Sequence, residues 1–498
     1  MTNQTAPAIP CGIDDIAFNL PRLCYSVADL AQRRQLDPAK LRDGLGLQFM
    51  SIPDVHDDPA TLGAGAVRNL MLRNQVAPEQ IGRLYVASES HFDAARPLGS
   101  YIMQILSQDE DVTSHPSAWN ACDCSDHLFA CVAGVDALEN ALQWVSAQAE
   151  RKAIVVCSDI AKYPLGGSGE YTQGAGAVAM LICQQPRLLK VAPIFGTATR
   201  PAFDFYKPVS HISKQQLVGD VLDAAGVADA DGKRILHHLE HHGNGYAPVW
   251  GDGQHHFHFH ADMPVFDGPY SVACYRELME LAASRFANKI GLAEDDSLSD
   301  RWGQIAFHLP YAHHGERVFV HAFATDHPNL ARQTTGRACP LPEHFEDEKA
   351  YQLEFDRYLK LVRETEVYQH FVREKIQTGQ KLSSRTGNMY TASLFASLLG
   401  ILELSQSAPE RMLRQPIGMI AYGSGAKAKV FEAHLCSGWE KIALRFNLLA
   451  LLREREEIDY DTYLTLHQGR RTRPVKTPGH TYIRLNAGAY PAEYAFSK

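Results

Sequence analysis

The chain has 498 residues, 45% hydrophobic and 21% charged, and this near-average balance excludes a disordered, collagen-like or coiled-coil chain. Its 48 basic and 57 acidic side chains leave a formal net charge of −9, which argues against sequence-independent nucleic-acid binding. No uncharged apolar run reaches the roughly 18 residues of a membrane-spanning helix, no signal-peptide pattern opens the chain, and ten scattered cysteines predict reduced thiols in the cytoplasm.

Short apolar runs bounded by Gly, Pro or Ser recur along the chain and predict strands buried on both faces. These predicted strands are Arg83–Ser90, Lys152–Ala161, Ala175–Cys183, Gly303–Pro310 and Pro416–Gly425. Helical patterns lie between them, and one repeats apolar side chains at helical spacing: Val135, Leu138, Leu142 and Val145. We also expect one or two helices over Glu343–Gln380 and one over Gly438–Ile458. This alternation predicts an α/β fold.

Cys131 is the first candidate for covalent chemistry. The apolar residues after His127 predict a strand that ends at Cys131, followed by a turn of small residues and a helix. Backbone N–H groups and the positive end of the helix dipole favour a thiolate there. Such a thiolate suits a covalent acyl carrier, and a buried structural cysteine, a common fate of this residue, is the alternative interpretation. Cys122 and Cys124 compete for this role but lack the strand-to-helix setting.

Glu89 and His308 also stand at the ends of predicted strands. A carboxylate is costly to bury unless it is paired or functional, so Glu89 fits a general base as well as a solvated loop residue. His308 precedes Pro310, and histidine is the usual proton shuttle near neutral pH. A hydrogen-bonded structural histidine is the alternative interpretation.

A Gly-rich turn, Gly423-Ser424-Gly425, follows the last predicted strand and can bring N–H groups close to an oxyanion or a phosphate. Neither this turn nor Gly169–Ala179 matches a dinucleotide fingerprint or a nucleotide phosphate loop. A thiol, a carboxylate, an imidazole and a Gly-rich turn at the ends of separate strands together predict acyl transfer with carbon–carbon chemistry.

Histidines cluster in a polar, Gly-rich segment, residues 210–263, which interrupts the strand pattern and predicts an insertion. Eight of the 23 histidines lie between positions 237 and 260. The candidate metal ligands share one face of a helix or of a strand: His238 and His242, or His256, His258 and His260. Either set could bind Zn²⁺ or Ni²⁺, but a polar surface excursion explains the cluster as well, and we predict no metal.

In order and content, these motifs resemble those of the bacterial 3-hydroxy-3-methylglutaryl-CoA synthases of the thiolase superfamily. The matching stretches include GIDDIAFNLPR (Gly12–Arg22), YVASES (Tyr85–Ser90), FACVAGVDALENAL (Phe129–Leu142), SDIAKYPLGGSGEYTQG (Ser158–Gly174), PVFDGPYSVACY (Pro264–Tyr275), FHLPYA (Phe307–Ala312), GNMYTASLF (Gly387–Phe395) and YGSGAKAKVFE (Tyr422–Glu432). The resemblance implies a thiolase-like duplicated fold in five layers, αβαβα. Its halves would be residues 1–192 and 193–498, with the insertion at about 210–263.

The resemblance also implies a reaction that requires no cofactor. Acetyl-CoA acetylates Cys131, Glu89 removes a proton from the acetyl methyl group, and the resulting carbon attacks acetoacetyl-CoA. His308 protonates the alkoxide, and water hydrolyses the enzyme thioester to release HMG-CoA for the mevalonate pathway to isoprenoids. CoA thioesters are then the partners, and a cytoplasmic homodimer is expected.

The same resemblance assigns supporting roles. The N–H groups of Cys131 and Ser424, beside Gly423, would form the oxyanion hole. Other residues match polar positions that organise the family's site: Asp159, Thr172, Asp204, Asn388 and Tyr390.

Local departures from the family pattern bear on the substrate. Val132 follows the nucleophile where animal members have Tyr. After His308 the family reads Pro-[Phe/Tyr]-x-Lys, with the Lys near the CoA phosphates, whereas His313 and His314 stand here with less charge at neutral pH. The alternative is therefore an acyl-carrier-protein-dependent β-branching synthase or another Claisen-type condensing enzyme. A degenerate thiolase-fold subunit or a metal-handling protein is a third hypothesis, disfavoured by the three intact candidate side chains.

Overall fold

A computed structural model of the chain describes residues 9–115, 117–227, 229–242, 256–260, 262–486 and 492–497. Residue contacts divide the chain into a large unit, residues 1–204 with 267–498, and a small unit, residues 205–266. No helix in the described ranges is long and apolar enough to cross a membrane.

Most strands of the large unit join one ten-stranded sheet. Its strands are β1 (Cys11–Asn19), β4 (Arg83–Ala87), β5 (Asp123–His127), β6 (Ala153–Ala161), β7 (Gly174–Gln184), β8 (Leu189–Val191), β9 (Gly196–Thr199), β14 (Gln304–Phe307), β15 (Ile417–Gly423) and β16 (Lys427–Leu435). The order across the sheet is β14-β15-β16-β8-β1-β7-β6-β4-β5, with β9 paired to β16. β4 runs parallel to β5 and β6, and β14 runs parallel to β15.

Smaller sheets complete the strands of this unit. They are β17 (Glu456–Glu457) with β2 (Leu23–Ser26) and β3 (Phe49–Ile52), and β18 (Thr481–Arg484) with β19 (Tyr494–Ser497).

The large unit also contains the following helices. They are α1 (Val27–Arg33), α2 (Pro59–Asn74), α3 (Leu98–Leu106), α4 (Ala133–Ser146), α7 (Gly268–Ile290), α8 (Leu298–Arg301), α9 (His314–Val318), α10 (Val320–Asp326), α11 (Pro328–Thr335), α12 (Glu348–Glu364), α13 (Glu366–Lys375), α14 (Gln377–Thr386), α15 (Ser393–Leu404), α16 (Pro409–Met412), α17 (Trp439–Ala443), α18 (Leu448–Arg453) and α19 (Tyr460–His467). Side-chain caps fix several N-termini: Asp58 accepts from the N–H of Thr61 at the start of α2, and Asp267 accepts from that of Tyr270 in α7.

Alternating side chains on the strands separate the layers. On β7, Met180 faces a core that contains α4 and α15, whereas Leu181 faces the core under α2 and α3. On β15, Met419 shares the α4 and α15 core, whereas Ile420 faces α7 and the outer helices. Helices α4 and α15 therefore form a central layer, and the expected αβαβα arrangement is confirmed.

The small unit contains α5 (Lys214–Ala224), α6 (Asp229–His242) and two antiparallel strand pairs. The pairs are β10 (Phe205–Tyr206) with β13 (Val265–Phe266), and β11 (Val209–Ser213) with β12 (His256–His260).

The predicted helix over Gly438–Ile458 is wrong. The segment forms α17 and α18, with Asn447 in the left-handed region (φ 55°) between them, and then β17. Ile442 and Leu448 are both buried, yet six residues apart they would lie on different faces of one continuous helix. The break brings both side chains into the core. The segment Glu343–Gln380 instead contains α12, α13 and the start of α14.

Candidate active site

The candidate residues gather at the carboxyl ends of strands that run in parallel within each part of the sheet. Glu89 follows β4, His308 follows β14, and the Gly423 turn ends β15. The N-termini of the two central helices, α4 and α15, bring Cys131 and Tyr390 to the same region.

The backbone before Cys131 departs from the sequence expectation. The predicted apolar strand ending at Cys131 is wrong, because β5 ends at His127 and Leu128 is 74% exposed. Cys131 lies in a tight turn two residues before α4. Ala130, which precedes it, is in the left-handed region (φ 43°), a strained conformation for a side chain with a Cβ, and such strain is often found at functional sites.

Cys131 contacts Glu89 directly, with 2.8 Å between Sγ of the thiol and Oε1 of the carboxylate. Both side chains are half-buried. The competing thiols are in a different state, because burial raises the pKa of both Cys122 and Cys124 to about 12. A thiol with such a pKa is almost entirely protonated at neutral pH and is a poor nucleophile.

Asp159 is a fully buried acceptor that connects Glu89 to α15. Its Oδ1 accepts the backbone N–H of Glu89 at 2.7 Å and the hydroxyls of Ser88 and Ser90 at 3.1 and 2.9 Å. Its Oδ2 accepts the backbone N–H of Thr391 at 3.0 Å and the hydroxyl of the same residue. One carboxylate thus fixes the backbone of Glu89 relative to the N-terminus of α15.

Asn388 and Tyr390 form a buried turn before α15. Oδ1 of Asn388 accepts the N–H of Tyr390 at 2.9 Å, and the N–H of Asn388 donates to the carbonyl of Thr172 at 2.9 Å. Tyr390 has a φ of 42°, a second left-handed residue with a side chain. Its ring centroid lies 6.5 Å from that of Tyr163, and both phenols have a raised pKa because of burial, with Glu89 and Cys131 adding to it. The bond from the N–H of Asn388 means that Thr172 contributes its backbone carbonyl to the site.

His308 is 2% exposed, and burial lowers its pKa to about 3 against an opposing hydrogen bond to the backbone of Tyr390. Its carbonyl accepts the hydroxyl of Tyr275 at 2.9 Å. Burial raises the pKa of the Tyr275 phenol, and the nearby Cys131 raises it further. Tyr275 and Tyr390 each interact with both His308 and Cys131, so the structure brings the three candidate side chains into one site.

The Gly423 turn lies against the turn that carries Cys131. A Cβ added to Gly423 would lie 2.7 Å from the carbonyl oxygen of Phe129 and 2.8 Å from the backbone nitrogen of Val132. Only glycine permits this approach.

Asp204 fixes the Gly423 turn through hydrogen bonds. It is fully buried and accepts the N–H of Gly425 at 2.9 Å, the hydroxyl of Tyr422 at 2.7 Å and that of Ser271 at 3.0 Å. Ser424, at the tip of the turn, is half-buried.

Sequence reasoning missed four residues of this site: Tyr163, Tyr275, Thr391 and Tyr422. Each lies within a stretch that carries the family resemblance, and position in those motifs was the available signal. Their contacts depend on tertiary packing and have no local sequence signature.

Of the candidate metal ligands, His238 lies on a helix and His256 on a strand. Among the residues that the structure describes, no group of three or more His, Cys, Asp or Glu side chains could hold a metal ion. The side chains of His242, His258 and His260 lie outside the described residues.

Comparison with known proteins gives a consistent result. The family described as "Hydroxymethylglutaryl-coenzyme A synthase N terminal" matches residues 8–186, and its C-terminal counterpart matches residues 253–476. A hydroxymethylglutaryl-CoA synthase of Haloferax volcanii is 29% identical over 86% of this chain and 85% of its own length. That of Enterococcus faecalis is 25% identical, with 91% and 90% covered.

Solved structures share the fold. "MvaS in complex with 3-hydroxy-3-methylglutaryl coenzyme A" has a TM-score of 0.74 and 24% identity, with 98% of this chain and 99% of that chain covered. The curacin pathway HMG synthase in complex with holo donor-ACP has a TM-score of 0.69 and 17% identity, with 98% and 100% covered. The structure has a thiolase-like fold, and the two family models identify the chain as a transferase. The chain belongs to the hydroxymethylglutaryl-CoA synthase family, transferases that condense acetyl-CoA with acetoacetyl-CoA.

Proposed function

We propose that this chain makes 3-hydroxy-3-methylglutaryl-CoA from acetyl-CoA and acetoacetyl-CoA, with Cys131 as the nucleophile. The contact between Cys131 and Glu89, 2.8 Å between sulfur and oxygen, carries the proposal. It brings a thiol, positioned in a strained turn before a helix, next to the carboxylate that the later carbon chemistry needs.

In the first step Sγ of Cys131 attacks the carbonyl carbon of acetyl-CoA. The bond to the CoA sulfur breaks, and the departing thiolate takes up the proton that the Cys131 thiol gave up. His308 assists this transfer. The carbonyl oxygen becomes negative in the tetrahedral intermediate, and the N–H groups of Cys131 and Ser424 stabilise it. The close approach of Gly423 to Val132 supports this pairing of the two turns.

In the second step Glu89 removes a proton from the methyl group of acetyl-Cys131. Its backbone is held by Asp159, so the carboxylate starts from a fixed position. The enolate carbon forms a bond to the ketone carbon of acetoacetyl-CoA, and an alkoxide develops. Burial keeps His308 neutral at physiological pH, so it acts through an N–H group that delivers a proton to the alkoxide. The proton that Glu89 took from the methyl group then passes to His308, so both side chains return to their starting protonation states.

In the third step water attacks the thioester carbonyl on Cys131. The carbon–sulfur bond breaks, one proton of the water returns to Sγ of Cys131 and the other is released to solvent, and the product leaves as a carboxylate still attached to the acceptor's CoA. No cofactor is required by these steps. Asn388 and Tyr390 support the acceptor side, Thr172 supports Asn388 through its carbonyl, and Asp204 holds the Ser424 turn.

We propose a cytoplasmic homodimer that serves the mevalonate pathway. Support comes from family membership and from the rat and human relatives, which are named cytoplasmic hydroxymethylglutaryl-CoA synthases.

The test is product formation from both classes of donor. Purified chain is mixed with acetoacetyl-CoA and either acetyl-CoA or an acetylated acyl carrier protein, and products are identified by mass. We expect HMG-CoA from acetyl-CoA. Turnover only with the carrier protein would replace this proposal by the β-branching alternative.

The Glu89→Gln variant separates the steps. It should still acquire an acetyl group on Cys131 but should not condense. A folded Glu89→Gln variant that condenses at the wild-type rate would contradict the assignment of the base.

A further inference from the structure

Two consecutive histidines, His313 and His314, stand where the family pattern has its lysine. The fold gives their side chains different exposures to solvent. The side chain of His313 is 28% exposed, with Nδ1 3.9 Å from a carboxylate oxygen of Glu316. His314, the first residue of α9, is 2% exposed. Only His313 is positioned to meet solvent, so His314 requires a separate explanation.

His314 lies in an aromatic enclosure beside His308. Its ring centroid is 4.8 Å from that of Tyr275 and 4.9 Å from that of Tyr311. Tyr275 also lies 6.2 Å from the ring of His308 and donates to its carbonyl. One tyrosine therefore contacts both imidazoles.

Three ring nitrogens in this enclosure lack a hydrogen-bond partner among the described residues: Nδ1 of His308, and Nδ1 and Nε2 of His314. Buried polar atoms are rarely left in this condition, because they lose their bonds to water without replacement. An apolar side chain would avoid the loss. The pattern indicates that these nitrogens bind a polar atom when the site works.

We propose that His314 is a positioning residue for His308, acting through one bridging water molecule. The water accepts the N–H of His314 and donates to Nδ1 of His308. Nδ1 of His308 is then an acceptor, so the ring proton is fixed on Nε2. This is the nitrogen left to make the hydrogen bond with the backbone of Tyr390, and its one N–H passes from that acceptor to the alkoxide as the negative charge develops. The inference rests on the condensing function proposed above.

The charged and titratable groups around His314 keep it neutral. Burial, together with the nearby His308 and Arg317, lowers its pKa to about 3. The phenols of Tyr275 and Tyr311 have a raised pKa and stay protonated. A neutral imidazole offers one donor and one acceptor, which the bridge requires.

The experiment measures acetylation and condensation separately. Each variant is first acetylated with acetyl-CoA, and the adduct is quantified by intact mass. Acetoacetyl-CoA is then added, and single-turnover formation of HMG-CoA is followed. Because His308 also assists acetylation, we expect His314→Leu to acetylate more slowly but to the same final extent. Once acetylated it should condense about tenfold more slowly, the effect of losing one hydrogen bond near developing charge. His314→Gln, which can hold the water, should recover most of the rate.

A double variant tests whether the effect passes through His308. In a His308→Ala background, the His314→Leu change should cause no further loss, because coupled residues are not additive. If the rate losses of the two single variants multiply in the double variant, the inference is overturned. So would a wild-type rate for His314→Leu, or a His314→Gln variant as slow as His314→Leu.

His370→Leu is the matched control, the same substitution at an exposed histidine of α13, and it should condense at the wild-type rate. Far-ultraviolet circular dichroism confirms that each variant is folded. If wild-type protein forms neither adduct nor product, the proposed function fails and this inference with it. If the wild type condenses and His314→Leu matches it, only the inference fails.

Discussion

Asp159→Asn tests whether the buried carboxylate holds the base in position. The substitution keeps the size of the side chain but replaces one acceptor oxygen by a donor NH₂ group. In the best orientation the amide oxygen keeps the three bonds on the Glu89 side, and the NH₂ group then faces the N–H of Thr391. A bond to a charged acceptor contributes about 1.5–3 kcal/mol, and an unsatisfied buried N–H costs about 1–3 kcal/mol.

We therefore expect the free energy of unfolding of Asp159→Asn to fall by about 3 kcal/mol, which leaves a folded protein. Condensation should slow at least roughly tenfold, because small displacements of a reacting group have large effects on rate. Denaturant midpoints and single-turnover condensation measure the two effects. Asp461→Asn, at an exposed position in α19, is the control and should change stability by less than about 0.5 kcal/mol. A midpoint and a rate equal to wild type in Asp159→Asn would refute the reasoning.

Three further predictions follow from single features of the site. Gly423→Ala should force the turn away from Val132 and lower the rate of acetylation at least roughly tenfold, as intact mass against time would record. Brief alkylation at pH 8 should leave Cys122 and Cys124 unmodified, because a thiol with a pKa of about 12 carries almost no thiolate; peptide mapping checks this. His308 and His314 have a pKa near 3 in the folded protein, so between about pH 6.5 and pH 3 they bind protons only in the unfolded chain. The free energy of unfolding should therefore decrease as the pH is lowered through this range. Each contributes up to about 1.4 kcal/mol per pH unit, and His314→Leu should remove one such contribution.

Each of these three predictions has an outcome that would contradict it. Acetylation of Gly423→Ala at the wild-type rate would mean that the two turns need not touch. Early alkylation of Cys122 or Cys124 would reopen the choice of nucleophile. A His314→Leu variant whose unfolding shows the same pH dependence as wild type would place the charged form of His314 in the native protein.

Local sequence patterns predicted much of the sheet. Apolar runs located the cores of five strands, and the helical spacing that begins at Val135 corresponds to the buried face of α4. The same reasoning failed after Gly438. The helix breaks there at Asn447, which adopts the left-handed conformation so that Leu448 can pack into the core. That packing is tertiary, so the local sequence does not indicate the break.

The site was predictable where chemistry and position coincide in the sequence. Glu89 and His308 stand at strand ends, and their gathering at one site follows from strand direction. The turn at Cys131 was not predictable in detail, since nothing about an alanine at position 130 indicates a positive φ. Nor does the sequence distinguish the buried His314 from the adjacent His313, because burial there depends on a tyrosine from α7.

The central claim is that Cys131 carries the acetyl group. Intact-mass analysis after mixing with acetyl-CoA, followed by peptide mapping, tests it most directly. We predict one acetyl adduct on Cys131 that is absent from Cys131→Ser and disappears when acetoacetyl-CoA is added. A wild-type protein that stays unmodified, or an adduct that maps to Cys122 or Cys124, would contradict the account.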